Sequence, residues 1–148
     1  MRIDRISKQE DVQVRELIWK TFLRFDAVDY SEEGVKDFYA YLMRDDLFER
    51  LIFLGAYEED ILIGVMAMCE GHISLFFVDE HYYRKGVGKA LFQSMLRLQK
   101  QMIITVNSSL YAKEVYEHLG FQPSIMKLKP EAFVIFRCCI QKMGIFYK

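Results

Sequence analysis

Cysteine is scarce in this chain, and neither sign of charge is in real excess. Three cysteines in 148 residues, Cys69, Cys138 and Cys139, make neither a disulfide framework nor a zinc site. The adjacent pair is poorly placed to bridge to itself and lacks the spacing of a ligand pair, so reduced, partly buried thiols are expected. Twenty basic residues against twenty-one acidic ones give a net charge of −1. That balance argues against a general nucleic-acid binder, whose footprint is basic. Long apolar runs are missing too: the longest, Ile61 to Cys69, is too short to span a bilayer as a helix. The opening residues, Met1-Arg2-Ile3-Asp4-Arg5, hold no apolar signal region. The expectation is a cytoplasmic protein with no nucleic-acid or membrane partner. No repeat, linker or low-complexity stretch divides the chain, so residues 1–148 are expected to form one domain.

What is present is a core and a clear element order. Apolar residues make up 52% of the chain and aromatic ones 15%, enough for a sizeable interior. Arg2 to Ile6 reads as a strand. Ser7 and Glu10 form a capping-box signature. Behind it Val14, Leu17, Ile18, Phe22 and Phe25 recur at helical spacing, predicting a helix over 8–25. Ser31, followed by Glu32 and Glu33, predicts a second helix start, with Val35, Phe38 and Leu42 on its apolar face. Short turns then join three strands, over 51–57, 61–69 and 72–78, which such connections make antiparallel. A helix from Val87 carries Ala90, Leu91, Met95 and Leu98 on one face. Residues 102–106 read as a fifth strand. The next helix has Ser108 or Ser109 as its cap, a core face of Ala112, Val115, Tyr116 and Leu119, and Gly120 as its stop. Two extended stretches follow, over 121–128 and 133–140, and Gly144 to Tyr147 reads as a further edge strand. The order is β-α-α-β-β-β-α-β-α-β-β.

The most informative stretch is Tyr83-Arg84-Lys85-Gly86-Val87-Gly88-Lys89. It lies between an apolar strand and a helix start. A helix start carries unpaired N–H groups and a partial positive charge. Gly86 and Gly88 let a ligand approach the backbone, and Arg84, Lys85 and Lys89 add three positive charges. These features describe a site for a polyphosphate anion. A Walker A loop would need glycine where Tyr83 stands and Ser or Thr where Ala90 stands. A dinucleotide fingerprint would need glycine at Leu91. Both readings fail.

The segment from Ile73 to Leu91 resembles the acyl-CoA loop of the GCN5-related N-acetyltransferases. That loop reads Gln/Arg-x-x-Gly-x-Gly/Ala and falls here on residues 83 to 88, with Tyr83 in its first place and the cation moved to Arg84. A second segment, Ile103 to Phe121, resembles the family's other hallmark through Asn107, Ala112, Tyr116, Gly120 and Phe121. The resemblance implies an α/β fold: a mixed, mainly antiparallel central sheet with helices on both faces. That sheet opens between the strand ending at Val78 and the one ending at Val106, and the pantetheine arm lies in the opening.

The resemblance also implies a reaction: transfer of an acetyl group from acetyl-CoA to an amine. Phe77 and Val78 would offer backbone N–H groups to the oxyanion. Arg84, Lys85, Gly86, Val87, Gly88 and Lys89 would hold the pyrophosphate. Tyr116 would be the general acid for the leaving thiolate, though helical spacing alone makes it a core aromatic. Asn107, just past a strand end, either binds the cofactor or caps the following helix. The family's strand glutamate has no counterpart; His72, Ser74 and Glu70 stand near its place. No metal is implied. The acceptor is a small-molecule or peptide amine, and Asp26 to Glu33 offer it an acidic rim or merely cap a helix. A homodimer stays open. The rival reading is a CoA-binding or partner-binding module that keeps the fold without catalysis.

Overall fold

The computed structural model describes the backbone of residues 1–101, 103–108, 113–128 and 134–141. Side chains are described through 101 and for 104–106 and 114–121. The strands are β1 (Arg2–Arg5), β2 (Ile52–Glu58), β3 (Ile61–Cys69), β4 (His72–Val78), β5 (Ile103–Ser108), β6 (Gln122–Leu128) and β7 (Val134–Gln141). The helices are α1 (Asp11–Thr21), α2 (Glu32–Leu42), α3 (Leu47–Arg50), α4 (Val87–Leu98) and α5 (Lys113–His118). Among the described residues the strands form one sheet in the order β1-β2-β3-β4-β5-β7-β6. All neighbours are antiparallel except β4 and β5. The expected element order holds, with the single-turn α3 added. The expected edge strand over Gly144 to Tyr147 lies outside the described residues.

Local signals account for the helix boundaries. Ser7 N–H donates to Glu10 Oε2 at 3.2 Å, the backward half of the capping box. Glu10 also accepts from the Tyr57 hydroxyl at 2.6 Å, tying the start of α1 to β2. The predicted helix over 8–25 is continuous but not uniform. It enters through a 3-10 turn, Lys8–Glu10, and leaves through a π turn, Phe22–Asp26. The π turn re-aims the residues that close α1. Ser31 Oγ accepts from Gly34 N–H at 3.0 Å, so α2 is capped as expected.

The sheet separates two cores. On one face Val14, Leu17 and Ile18 of α1 and Leu42 of α2 pack on Phe53, Val65, Ala67 and Leu75. On the other, Val87, Leu91, Phe92 and Met95 of α4 and Tyr116 of α5 pack on Leu54, Met66 and Ile104. The strands feed both faces because their side chains alternate. Two expected face residues are displaced: Leu98 is 48% exposed and Val115 50% exposed. Phe92 and Leu96 belong to the face of α4 that packs in the core. Cys69 is a free thiol, but exposed rather than partly buried, since β3 carries it past the core.

The pairing of β4 sets up the site. Against β3 it is registered along its length, from Cys69↔His72 to Gly64↔Val78. Against β5 it pairs at only two positions, His72↔Thr105 and Ile73↔Val106. Beyond Ile73 the two strands part, and the sheet opens on the side where the sequence resemblance places the opening.

Candidate functional site

A cavity of about 410 Å³ fills this opening. Its floor is the far end of β4, Phe76, Phe77 and Val78. One wall is the glycine turn and the start of α4, through Arg84, Gly86, Val87, Gly88 and Lys89. Val115 and Tyr116 of α5 close a second side. Thr21, Phe25 and Asp26, from the end of α1 and its π turn, close a third. Eight of the expected site residues thus meet on one cavity: Phe77, Val78, Arg84, Gly86, Val87, Gly88, Lys89 and Tyr116.

Of the other two expected residues, one is seen to stand elsewhere and one is placed by its backbone alone. Lys85 is turned back, with its ammonium 5.3 Å from the centre of the Tyr82 ring. Asn107 was expected just past a strand end; β5 instead runs to Ser108, and Asn107 pairs with Arg137 inside it. The strand is longer because β7 gives it a continuous partner.

The glycine turn is built from two different glycines. Gly86 caps α4 with φ at +80°, a left-handed conformation that costs a residue with Cβ about 1 kcal/mol or more. A Cβ there would meet nothing within 4 Å. Gly88 has no such φ, but its Cβ would sit 2.9 Å from Phe76 Cζ. One glycine is needed by the backbone and the other by its neighbour across the cavity. Arg84 is also left-handed, with φ at +62°, which nothing in its residue type announces. The first N–H groups of α4 follow directly and lack helical partners.

The backbone of β4 offers its groups alternately to β3 and to the opening. Asp79 N–H donates to Ile63 O at 2.8 Å, on the β3 side. Phe77, two residues earlier, therefore also faces β3, and Val78 faces the opening. Of the two expected oxyanion donors only the Val78 N–H is so aimed; Phe77 contributes its ring.

Tyr116 is buried, 7% exposed, and its ring lies against Phe76 (5.9 Å) and Phe121 (5.6 Å). It is a core aromatic that also lines the cavity. Tyr83, in the place of the family's Gln or Arg, lines the cavity too, with its ring 5.6 Å from that of Phe25.

None of the three residues near the place of the family's glutamate reaches the cavity wall. His72 is at the paired end of β4, its Nδ1 2.7 Å from Thr105 Oγ1. Six residues of strand, roughly 20 Å, separate it from Val78. A different acid lines the cavity: Asp26. Burial, reinforced by the nearby Asp29, pushes its carboxyl up to about 6. Tyr30 is raised by burial and by the same two carboxylates. The sequence showed Asp26 only as one of several acids between α1 and α2.

Asp79 closes β4 and caps the 3-10 turn after it, accepting from His81 N–H at 2.9 Å. Lys20 of α1 reaches it at 3.0 Å. Burial alone would raise this carboxyl; the His81 N–H, Lys20 and the His81 ring outweigh burial and hold it at about 2. Among the described residues no cluster of His, Cys, Asp or Glu could hold a metal ion, and no helix is long and apolar enough to cross a membrane.

A splayed β4–β5 pair, a glycine turn opening α4, and a tyrosine opposite define a class. The chain belongs to the GNAT acetyltransferase family: the model of the acetyltransferase (GNAT) domain matches residues 26–132. The uncharacterized N-acetyltransferase YafP of Escherichia coli K12 is 35% identical over 60 residues, 40% of this chain and 39% of YafP. The match thus spans well under half of that relative. A GCN5-related N-acetyltransferase from Rhodopseudomonas palustris superposes with a TM-score of 0.81 at 17% identity, over 95% of this chain and 94% of its own. The PaiA N-acetyltransferase of Thermoplasma acidophilum, solved with coenzyme A, gives 0.67 at 17% identity, over 92% and 98%. These two structures share the fold.

Proposed function

We propose that residues 1–148 form one N-acetyltransferase domain that moves an acetyl group from acetyl-CoA to a primary amine by direct attack on the thioester. The observation that carries this reading is the cavity itself. It joins the open edge of β4, the unpaired N–H groups of α4 and the Tyr116 ring in one space. The backbone of α4 with Arg84 and Lys89 holds the pyrophosphate. The Val78 N–H stabilises the oxyanion of the tetrahedral intermediate. Tyr116 donates toward the departing thiolate. A phenol near 10 and a thiol near 8.5 differ by about 1.5 units, or roughly 2 kcal/mol, so a strong hydrogen bond suffices. Such a cosubstrate suits a cytoplasmic enzyme.

Acetyl-CoA should raise Tm, because a ligand that binds only the folded state stabilises it. The test runs it beside coenzyme A, ATP and NAD. No shift at millimolar acetyl-CoA sinks the assignment. A binding module without catalysis is the second reading, favoured by Tyr83 in the loop's first place and by the lack of an acid on β4. Thiol release from acetyl-CoA with amines separates the two: a module binds and releases nothing.

A further inference from the structure

One side of the cavity lies away from α4 and α5. It is built by Thr21, Phe25 and Asp26 from the end of α1, by the Phe77 ring and by Tyr83. Phe77 faces the α1–α2 core, packing 6.2 Å from Phe38, whereas Phe76 faces Tyr116. Three rings, Phe25, Phe77 and Tyr83, therefore stand on the same side of the cavity as one carboxylate. Among the described lining residues Asp26 is the sole acid, and Arg84 and Lys89 are the cations. Among the described residues no hydrogen bond or ion pair uses the Asp26 carboxylate, while the neighbouring Arg24 and Lys20 are engaged by Glu80 and Asp79.

We propose that Asp26 binds the acceptor's ammonium group and takes its proton, and that the acceptor is a small monoamine with an apolar body. The proposal rests on the acetyltransferase reading above. The step balances simply. An N–H bond of the ammonium breaks and its proton passes to the Asp26 carboxylate. The freed lone pair attacks the thioester carbonyl, a C–N bond forms and the C–S bond breaks. The thiolate leaves toward Tyr116, and the second proton, which the attacking nitrogen must still lose, passes to it through that hydroxyl, so the products are the amide, the free thiol and protonated Asp26. Burial and the nearby Asp29 make this carboxyl a better proton acceptor than an exposed one. The groups that face Asp26 are Asp29 and Tyr30 from the following turn, Tyr83, Arg84 and Lys89 across the cavity, and Tyr116. Burial first, and Asp29 second, raise its carboxyl.

Charge decides the substrate class. One carboxylate neutralises one ammonium. A second positive charge on the acceptor would find no second acid among the described lining residues, and Arg84 and Lys89 are taken up by the pyrophosphate. Three rings reward an apolar body and a cation over their faces. The cavity must also admit the thioester arm, so the acceptor is small.

The test uses the whole chain. Phenethylamine and octylamine are compared with spermidine and an aminoglycoside, by calorimetry on the CoA-loaded protein and by thiol release from acetyl-CoA. The monoamines should bind, and should be used with kcat/KM at least tenfold above the polycations. Asp26→Asn should weaken phenethylamine binding at least tenfold and lower its kcat/KM at least a hundredfold, with Kd for CoA unchanged within twofold. Asp26→Glu should restore part of the loss and move the acid limb of the pH profile. Asp26→Asn removes a half-buried charge, so it should raise Tm at pH 8 but not at pH 4. The sign follows because the folded carboxyl is raised: its cost is absent below the unfolded value near 3.8 and grows as pH rises through 6. The proposal is overturned if Asp26→Asn keeps kcat/KM within threefold, if polycations serve as well as the monoamines, or if no monoamine binds the CoA-loaded protein. Failure of CoA itself to bind would instead strike the acetyltransferase reading.

Discussion

The two ends of β4 are built to different rules. At the His72 end the strand has a partner on both sides, and a side-chain hydrogen bond to Thr105 reinforces the pairing. At the Val78 end β5 has moved away and β4 keeps only β3. The first end obeys the ordinary rule that buried backbone groups are paired. The second leaves groups of the strand facing a cavity. A sheet that was complete at both ends would be more stable and would have no place for a thioester. Chemistry is expected where the ladder is broken, and stability where it is whole.

The largest expected effect lies at the broken end. Tyr116→Phe removes a hydroxyl and little volume, so the packing on Phe76 and Phe121 should survive. If the hydroxyl acts only as the thiolate forms, kcat and kcat/KM should fall together, by about 10²- to 10⁴-fold, with KM for acetyl-CoA nearly unchanged. A drop under threefold, with chemistry rate-limiting, would leave Tyr116 a core aromatic alone. The converse experiment belongs to the whole end. Ile73 is 3% exposed and sits where β4 still pairs with β5. Ile73→Ala should cost about 2–5 kcal/mol of stability. Below its melting range the variant should bind CoA as the parent does. Loss of affinity without loss of stability would erase the distinction between the ends.

The glycines sharpen it further. Gly88→Ala puts a methyl 2.9 Å from Phe76 Cζ, so the ring must move. Because that ring is on the cavity floor, CoA affinity should fall about tenfold, with a stability loss of about 1–2 kcal/mol. Gly86→Ala meets no neighbour, and should cost about 1 kcal/mol through its φ with a smaller change in affinity. Equal effects of the two on CoA binding, measured by calorimetry, would refute the assignment of steric and conformational roles.

This contrast also shows what was legible in the sequence. Elements governed by local periodicity, caps and turns could be read, as Ser31 and the short turns joining β2, β3 and β4 illustrate. The phosphate turn could be read because glycine and cation spacing is itself local. What could not be read depends on partners far along the chain. Gly88 looked like a ligand-approach glycine, yet the atom its Cβ would meet belongs to Phe76. His72 looked close to the site in sequence, but strand direction carries it to the wrong end. Asp26 looked like a rim or capping acid, because its burial is created by the π turn and by packing. Arg84 gave no hint of its left-handed backbone.

The smallest effect concerns how the open end is held without a strand partner. Asp79 follows Val78 directly, caps the next turn and binds Lys20 of α1 at 3.0 Å. A charge contact thus joins α1 to the end of β4, near where β5 is missing. The folded carboxyl is held at about 2, below its ordinary value of 3.8. A depressed acid contributes stability that is fully present above its unfolded pKa and lost as pH falls through the folded one. The window is therefore from about 4 down to about 2. Lys20 is 64% exposed, so solvent screening limits the contribution to about 1 kcal/mol. Asp79→Asn keeps an oxygen that can accept from the His81 N–H but removes the charge. Its Tm should lie a few degrees below the parent's at pH 7, and the two should converge by pH 2. A gap of the same size at both pH values would mean that shape, rather than charge, holds this end of the strand in place.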